Sequence, residues 1–171
     1  KEVMFGGAAG GGKSDAVLMG ALQYVEDPNY KSLILRRTYP ELTQEEGLIE
    51  RADEWLQETD AKWSGEKKRW YFPSGATLTF RHMENLKDKF KFKGSAYHFI
   101  AFDELTGFLE PQYLYLYRSL RKAEGDPIPL RIWSTSNPGD VGHEWVKKRF
   151  IRGEKLFIPS SWKDNPYLDK V

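Results

Sequence analysis

The sequence has no cysteine, and only three of its 171 residues are histidine. Disulfide frameworks and cysteine-based zinc sites are therefore excluded, and a reducing compartment is compatible with the composition. No uninterrupted apolar run reaches the roughly 18 residues that a membrane span needs, and residues 1–12 lack the long apolar centre of a secretory signal. We therefore expect a soluble intracellular protein that makes no contact with a membrane.

An excess of one charge is missing as well. The 26 basic and 25 acidic residues leave a formal net charge of +1, and 40% of the residues are hydrophobic. This balance excludes a strongly basic protein that coats nucleic acid, and it is typical of a globular domain. The length predicts a single domain, residues 1–171, whose core needs neither disulfides nor a structural metal.

Short apolar runs alternate with segments of helical periodicity along the chain. Strands are predicted at Val3–Phe5, Ser32–Leu35, His98–Phe102 and Leu130–Ser134. Helices are predicted at Ser14–Tyr24, Leu42–Thr59, Pro111–Arg121 and Glu144–Phe150, the second of them beginning near Thr43. This alternation predicts an α/β fold of three layers, with a mostly parallel central sheet, helices on both faces and a ligand site at the carboxyl ends of the strands.

One segment departs from the alternation. Pro73-Ser74-Gly75 separates the β-favouring runs Trp70–Phe72 and Ala76–Phe80, which predicts a β-hairpin. We expect this hairpin to be an excursion from the main sheet.

The residues after the first predicted strand have the spacing of a phosphate-binding loop, in its required position between a strand and a helix. The loop comprises Gly7, Ala8, Ala9, Gly10, Gly11, Gly12, Lys13 and Ser14. Glycines allow successive backbone N–H groups to converge on phosphates, helped by the partial positive charge at the start of a helix. Lys13 is predicted to reach the β- and γ-phosphates of ATP, and Ser14 to place its hydroxyl on Mg²⁺.

Two acids follow the predicted strand His98–Phe102. Asp103 is predicted to hold the magnesium ion, and Glu104 to be the general base that orients and deprotonates the attacking water. An Asp-Glu pair after a buried strand favours a hydrolytic ATPase over the kinase-like enzymes that share the loop. Lys13 and Glu104 are thus the predicted catalytic residues.

A polar segment follows the next strand. Ser134, Thr135, Ser136 and Asn137 have side chains that suit a sensor of the γ-phosphate, although Ser-Asn-Pro-Gly is equally good turn chemistry.

An arginine that contacts the γ-phosphate often contributes to hydrolysis, and the sequence offers several basic residues without selecting one. These are Arg36, Arg37, Arg118, Arg121 and, as a basic substitute, Lys93. The run Lys87–Lys93 is also interleaved with Phe90 and Phe92, so it is either a local DNA-contacting patch or a solvated face.

With these residues the chain resembles the ATPase domain of phage large terminase subunits. The resemblance covers nearly the whole length. The segments that carry it are Gly7–Ser14, Arg36–Leu42, Lys93-Gly94 before Phe99–Glu104, Ser134–Gly139 and Gly142–Val146.

The resemblance implies that Lys13 and Ser14 bind phosphate and magnesium, that Asp103 and Glu104 have the roles given above, and that Ser134–Ser136 couple hydrolysis to movement. It implies as partners double-stranded DNA, a portal and a small terminase subunit. It further implies a ring of identical subunits, whereas the isolated domain can be a monomer. Residues 151–171 are too few for the nuclease domain that follows the ATPase in this family, so no nuclease is expected from this chain.

The resulting hypothesis is ATP hydrolysis that drives DNA into a phage procapsid in the host cytoplasm. Water activated by Glu104 attacks the γ-phosphate of Mg-ATP. Two alternatives stay open: a DNA-dependent ATPase of the helicase or recombinase type, and a nucleotide-binding assembly module with little turnover.

Overall fold

A computed structural model describes residues 1–7, 11–161, 163 and 165. Within these residues eight strands form one sheet in the order β3-β4-β5-β2-β6-β7-β1-β8. The strands are β1 (Glu2–Gly7), β2 (Lys31–Arg36), β3 (Lys62–Ser64), β4 (Arg69–Tyr71), β5 (Thr77–His82), β6 (Phe99–Phe102), β7 (Arg131–Ser136) and β8 (Leu156–Ser160). All neighbours from β5 to β8 pair in parallel, so the predicted mostly parallel sheet is confirmed.

The helices are short and lie on both faces of the sheet. The α-helices are α1 (Lys13–Leu22), α2 (Tyr39–Thr43), α3 (Leu48–Leu56), α4 (Glu110–Tyr117) and α5 (His143–Val146). Two 3₁₀ helices span Leu86–Phe92 and Leu105–Gly107, and a π-helical turn, Lys147–Ile151, continues α5. No helix in the described part of the chain combines the length and the apolar character that a bilayer crossing requires.

The predicted hairpin is present, but it belongs to the main sheet. β4 and β5 pair antiparallel, with Trp70 opposite Leu78, and the turn is closed by a hydrogen bond from Phe72 N to Ala76 O. β5 also pairs in parallel with β2. The hairpin therefore extends the sheet with antiparallel strands instead of leaving it.

The core consists of two layers separated by the sheet. Successive side chains of a strand point to opposite faces, so Ile34 of β2 packs with α1 and α3, whereas Leu33 and Leu35 pack with α4 and α5. In the neighbouring strand β6, Ala101 likewise faces the first layer and Ile100 the second. The three-layer prediction is confirmed.

The single helix predicted at Leu42–Thr59 is wrong, because the chain forms two helices there. Thr38 caps α2: its hydroxyl accepts a hydrogen bond from Glu41 N, and the Glu41 carboxylate accepts one from Thr38 N. Pro40 occupies the first turn. This capping box starts the helix earlier than the apolar periodicity indicates. Glu46 then has φ 60°, which a continuous helix does not allow, and α3 begins after Gly47.

Candidate nucleotide-binding site

The site lies at the carboxyl edge of three adjacent strands, β6, β7 and β1. The glycine loop follows β1, the two acids follow β6, and the Ser-Asn segment ends β7. Because parallel strands end at the same edge of a sheet, these segments meet around one cleft. The cleft has a volume of about 430 Å³, and its lining includes Gly12, Lys13, Ser14, Arg36, Glu104 and Asn137.

The glycine loop leads directly into α1. Gly7 has φ 140° and Gly12 has φ 69°, both in the region that favours glycine. Gly12 is the N-cap of α1 and has no side chain that could cap the helix, and the start of an α-helix favours an anion. Ala8, Ala9 and Gly10 lie outside the described residues, so their predicted contacts stay predictions.

Ser160, at the end of β8, supports the loop from the far side. Its hydroxyl donates a hydrogen bond to Gly11 O at 3.0 Å. A side chain at Gly7 would collide with Ser160 O, because a Cβ there would lie 1.8 Å from that atom. Sequence reasoning missed Ser160, since nothing near it in the chain indicates a contact with residues some 150 positions earlier.

Asp103 is completely buried, and each of its carboxylate oxygens has partners. Oδ1 accepts hydrogen bonds from Ser14 Oγ at 3.2 Å and from Thr135 Oγ1 at 2.6 Å. Oδ2 forms an ion pair with Arg36 Nη1. A hydroxyl and a carboxylate thus lie side by side next to the phosphate loop, and such hard oxygen ligands fit Mg²⁺.

Among the described residues, no three histidine, cysteine or acidic side chains cluster closely enough to hold a metal.

Glu104 has a left-handed backbone and a carboxylate held in place by Asn137. Its φ and ψ are 57° and 63°, and its N–H donates to Thr135 Oγ1 at 3.0 Å. The carboxylate accepts from Asn137 N at 3.1 Å and from Asn137 Nδ2 at 2.8 Å. Burial, and after it the charge of Asp103, raises the pKa of the Glu104 carboxyl, against the opposing effect of the Asn137 N–H and of nearby cations. A raised pKa makes Glu104 a better proton acceptor once it is ionised.

Lys13 is buried at the start of α1 and faces the same asparagine. Its Nζ donates to Asn137 Oδ1 at 2.9 Å. Burial lowers the pKa of the Lys13 ammonium, while the negative charges of Glu104 and Asp103 act in the opposite direction. Asn137 therefore links the phosphate-binding lysine to the acid predicted to be the base.

The structure divides the predicted sensor segment. Ser134–Ser136 are the last residues of β7, so they are strand residues. Thr135 contacts Asp103 directly, and the Ser136 hydroxyl donates to Thr106 Oγ1 at 2.9 Å. The buried Ser134 hydroxyl has no hydrogen-bond partner among the described residues.

Only two of the predicted basic residues lie near the acids. Arg36 lines the cleft and pairs with Asp103, and Arg37 donates to Gly107 O from an adjoining cavity that Glu104 also lines.

Arg118, Arg121 and Lys93 are exposed and do not line the cleft. The Arg121 guanidinium donates a hydrogen bond to Gly94 O at 2.9 Å, and the Arg121 backbone N–H donates one to Tyr97 O. Tyr97 lies just before β6, so Arg121 is at the end of the sheet opposite to the cleft. None of the three reaches the nucleotide cleft of its own chain.

A parallel sheet with a glycine loop between β1 and α1, and with an Asp-Glu pair after another strand of that sheet, defines the P-loop nucleoside triphosphatases. Comparison with protein families then gives the particular group. The family described as terminase large subunit, T4likevirus-type, N-terminal, matches residues 4–158. The chain belongs to this family.

Solved structures of phage packaging proteins have the same fold. The large terminase of a thermophilic bacteriophage in complex with ADP gives a TM-score of 0.73 at 15% identity, over 99% of this chain and 42% of that one. The complex of the same protein with ATP-gamma-S gives 0.69 at 14% identity, over 99% and 41% of the two chains. The N-terminal domain of the DNA packaging ATPase from bacteriophage phi29 gives 0.62 at 13% identity, over 98% and 92%.

This chain thus spans about two fifths of the large terminase from the thermophilic phage. No curated protein sequence matches it at a significant level.

Proposed function

We propose that this chain is the ATP-hydrolysing motor domain of a large terminase subunit, and that its turnover drives double-stranded DNA into a phage procapsid in the host cytoplasm. The observation that carries the proposal is the convergence of Lys13, Ser14 and Glu104 on one cleft, with the buried Asp103 hydrogen-bonded to Ser14. Membership of the terminase family and the nucleotide complexes of the thermophilic phage protein support it further.

The chemistry is an in-line displacement at the γ-phosphate. Lys13 and the N–H groups at the start of α1 bind the phosphates. Glu104 accepts a proton from water, the water oxygen bonds to the γ-phosphorus, and the bond from that phosphorus to the β–γ bridging oxygen breaks to release ADP and phosphate. Ser14 and Asp103 are the residues that would hold Mg²⁺, which neutralises phosphate charge when bound.

Coupling to movement is proposed to pass through β7. The Thr135 side chain is hydrogen-bonded to Asp103. Asn137 directly follows β7, and its side chain is hydrogen-bonded to both Lys13 and Glu104. A change in the charge of the phosphates therefore acts on the end of this strand. The portal, the small terminase subunit and a ring of identical subunits are proposed as partners on the basis of the family.

The proposal is tested by nucleotide binding and phosphate release of wild type, Lys13→Ala and Glu104→Gln, with and without Mg²⁺ and duplex DNA. Lys13→Ala is expected to lose binding, and Glu104→Gln to bind ATP while its turnover falls about 10²-fold or more. Glu26→Gln, an exposed change outside the cleft, is the matched control and should behave as wild type.

The other outcomes distinguish the alternatives. A Glu104→Gln protein that hydrolyses ATP as fast as wild type would leave a nucleotide-binding assembly module. ATP-driven separation of DNA strands would instead indicate a helicase.

A further inference from the structure

One surface combines exposed apolar side chains with lysines. This basic face is formed by the 3₁₀ helix Leu86–Phe92 and by α4, which contact each other. Its exposed apolar members are Leu86, Phe90, Leu114 and Tyr117. Its lysines are Lys87, Lys89 and Lys91, with Lys93 directly after the 3₁₀ helix, and Lys91 pairs with Asp88 at 2.8 Å. Phe90 is 58% exposed, although its ring also packs edge-on against Tyr115 at 5.6 Å. A group of exposed apolar side chains bordered by charged residues is a mark of an interaction site.

A second surface has the complementary composition. This acidic face spans residues 45–60, whose acids are Glu45, Glu46, Glu50, Asp53, Glu54, Glu58 and Asp60. The one basic residue in this range, Arg51, pairs with Asp15 at 2.7 Å.

The acidic face also contains a hollow of about 450 Å³. Ile49, Trp63 and Trp70 contribute its apolar lining, and Glu45, Glu50 and Asp53 surround it with negative charge. An aromatic side chain flanked by lysines fits such a hollow in shape and in charge.

The two faces lie on opposite sides of the sheet. α3, which carries most of the acidic face, packs in the layer of Val17 and Ile34, whereas Phe92 and α4 pack in the layer of Leu33 and Phe102. A single molecule therefore cannot join its own two faces. The net charge of the whole chain is only +1, so the complementarity arises from the separation of charge between the faces.

We propose that the basic face of one copy of this chain docks on the acidic face of the next, with Phe90 entering the tryptophan-lined hollow. The inference deepens the ring-forming part of the proposed function and rests on it. Such a head-to-tail contact repeats, and it closes into a ring when the rotation between copies allows. Glu46 and Gly47 of the acidic side also line the nucleotide cleft, so the neighbouring copy lies beside bound nucleotide.

The test uses two variants that each disable one face. Phe90→Ser removes the central side chain of the basic face, and Glu45→Lys with Asp53→Lys reverses the charge around the hollow. Wild type is expected to self-associate at low salt in sedimentation equilibrium, more weakly as salt screens the charges. Each variant alone should associate at least about tenfold more weakly than wild type.

An equimolar mixture of the two variants provides the decisive measurement. Each variant supplies the face that the other lacks, so the mixture is expected to form a heterodimer that grows no further. Ile151→Ser removes an exposed apolar side chain elsewhere and should associate as wild type does. Circular dichroism of every variant establishes that the fold is kept.

Three results would overturn the inference: wild type that stays monomeric at millimolar concentration, variants that still associate as wild type does, or a mixture that stays monomeric. If wild type does not associate and Phe90→Ser weakens binding of a short DNA duplex, the basic face is a nucleic-acid site instead. Failure of the ATPase proposal is recognised separately, because a protein that assembles but does not hydrolyse ATP would refute only the motor function.

Discussion

Replacement of Asn137 by alanine tests how the site controls Glu104. The amide Nδ2 of Asn137 donates to the Glu104 carboxylate at 2.8 Å, while its backbone N–H donates independently. The substitution removes the first hydrogen bond to Glu104 and keeps the second, and it also removes the hydrogen bond that Asn137 Oδ1 accepts from Lys13 Nζ. Since the lost bond stabilises the charged form, the pKa of Glu104, already raised by burial, is expected to rise further.

The size of the effect follows from the energy of that bond. A hydrogen bond to a charged group contributes roughly 1.5–3 kcal/mol, and about 1.4 kcal/mol corresponds to one pKa unit. Glu104 is only partly buried, and solvent screening favours the lower value. We therefore expect a shift of about one unit.

The assay is the pH dependence of kcat for ATP hydrolysis. Glu104 must be ionised to accept a proton, so kcat rises with pH through its pKa, and in Asn137→Ala this rise should lie about one unit higher. Asn29→Ala, an exposed asparagine outside the site, is the control. A rise that stays in place or moves to lower pH would show that the amide does not stabilise the carboxylate and would refute the reasoning.

Three further perturbations address stability and the loop. Glu104→Gln should raise the free energy of unfolding in denaturant titrations. Burial and the charge of Asp103 raise the pKa of the Glu104 carboxyl above its ordinary value of 4.5. The carboxyl therefore contributes fully to the stability of wild type below pH 4.5, and this contribution is lost as pH rises through the raised pKa, so the advantage of the variant appears at the higher pH. An equal difference in stability at both ends of this range would contradict the reasoning. Gly11→Ala should weaken nucleotide binding in calorimetry, because the added Cβ would lie 2.1 Å from Ser160 Oγ. Adding Ser160→Gly should restore binding, and a double variant that binds as weakly as Gly11→Ala would show that this contact is not the cause. Arg36→Gln leaves the buried Asp103 carboxylate without its ion pair and should lower the free energy of unfolding by roughly 3 kcal/mol. Mg²⁺ should raise the melting temperature of this variant more than it raises that of wild type. If the variant and wild type melt at the same temperature without Mg²⁺, the Arg36–Asp103 pair has no structural role.

The parts of the fold that sequence predicts are those with a local signal. β6 is an unbroken apolar run buried on both faces, and the sequence displays that run directly. β8 was not predicted, because Leu156–Ser160 is half exposed, contains Pro159 and pairs with β1 from the far end of the chain. The break between α2 and α3 was missed because a capping box and a left-handed residue outweigh continuous apolar periodicity.

The candidate site divides along the same line. Lys13 and Glu104 belong to motifs whose residues are adjacent in sequence, so a reader of the sequence can propose them. The hydrogen bonds that orient both side chains come from Asn137, for which the sequence predicts only a place in a sensor segment or a turn. Contacts between segments more than 30 residues apart depend on strand order, and strand order has no local signature.

The left-handed backbone of Glu104 has a consequence for protein engineering. A residue with a side chain costs roughly 1–2 kcal/mol in this conformation, and glycine avoids most of that cost. A library selected for thermal tolerance alone will therefore enrich glycine at position 104 and lose the carboxylate with it. A thermostable version of this domain therefore has to keep glutamate at position 104 and be stabilised by substitutions at other positions.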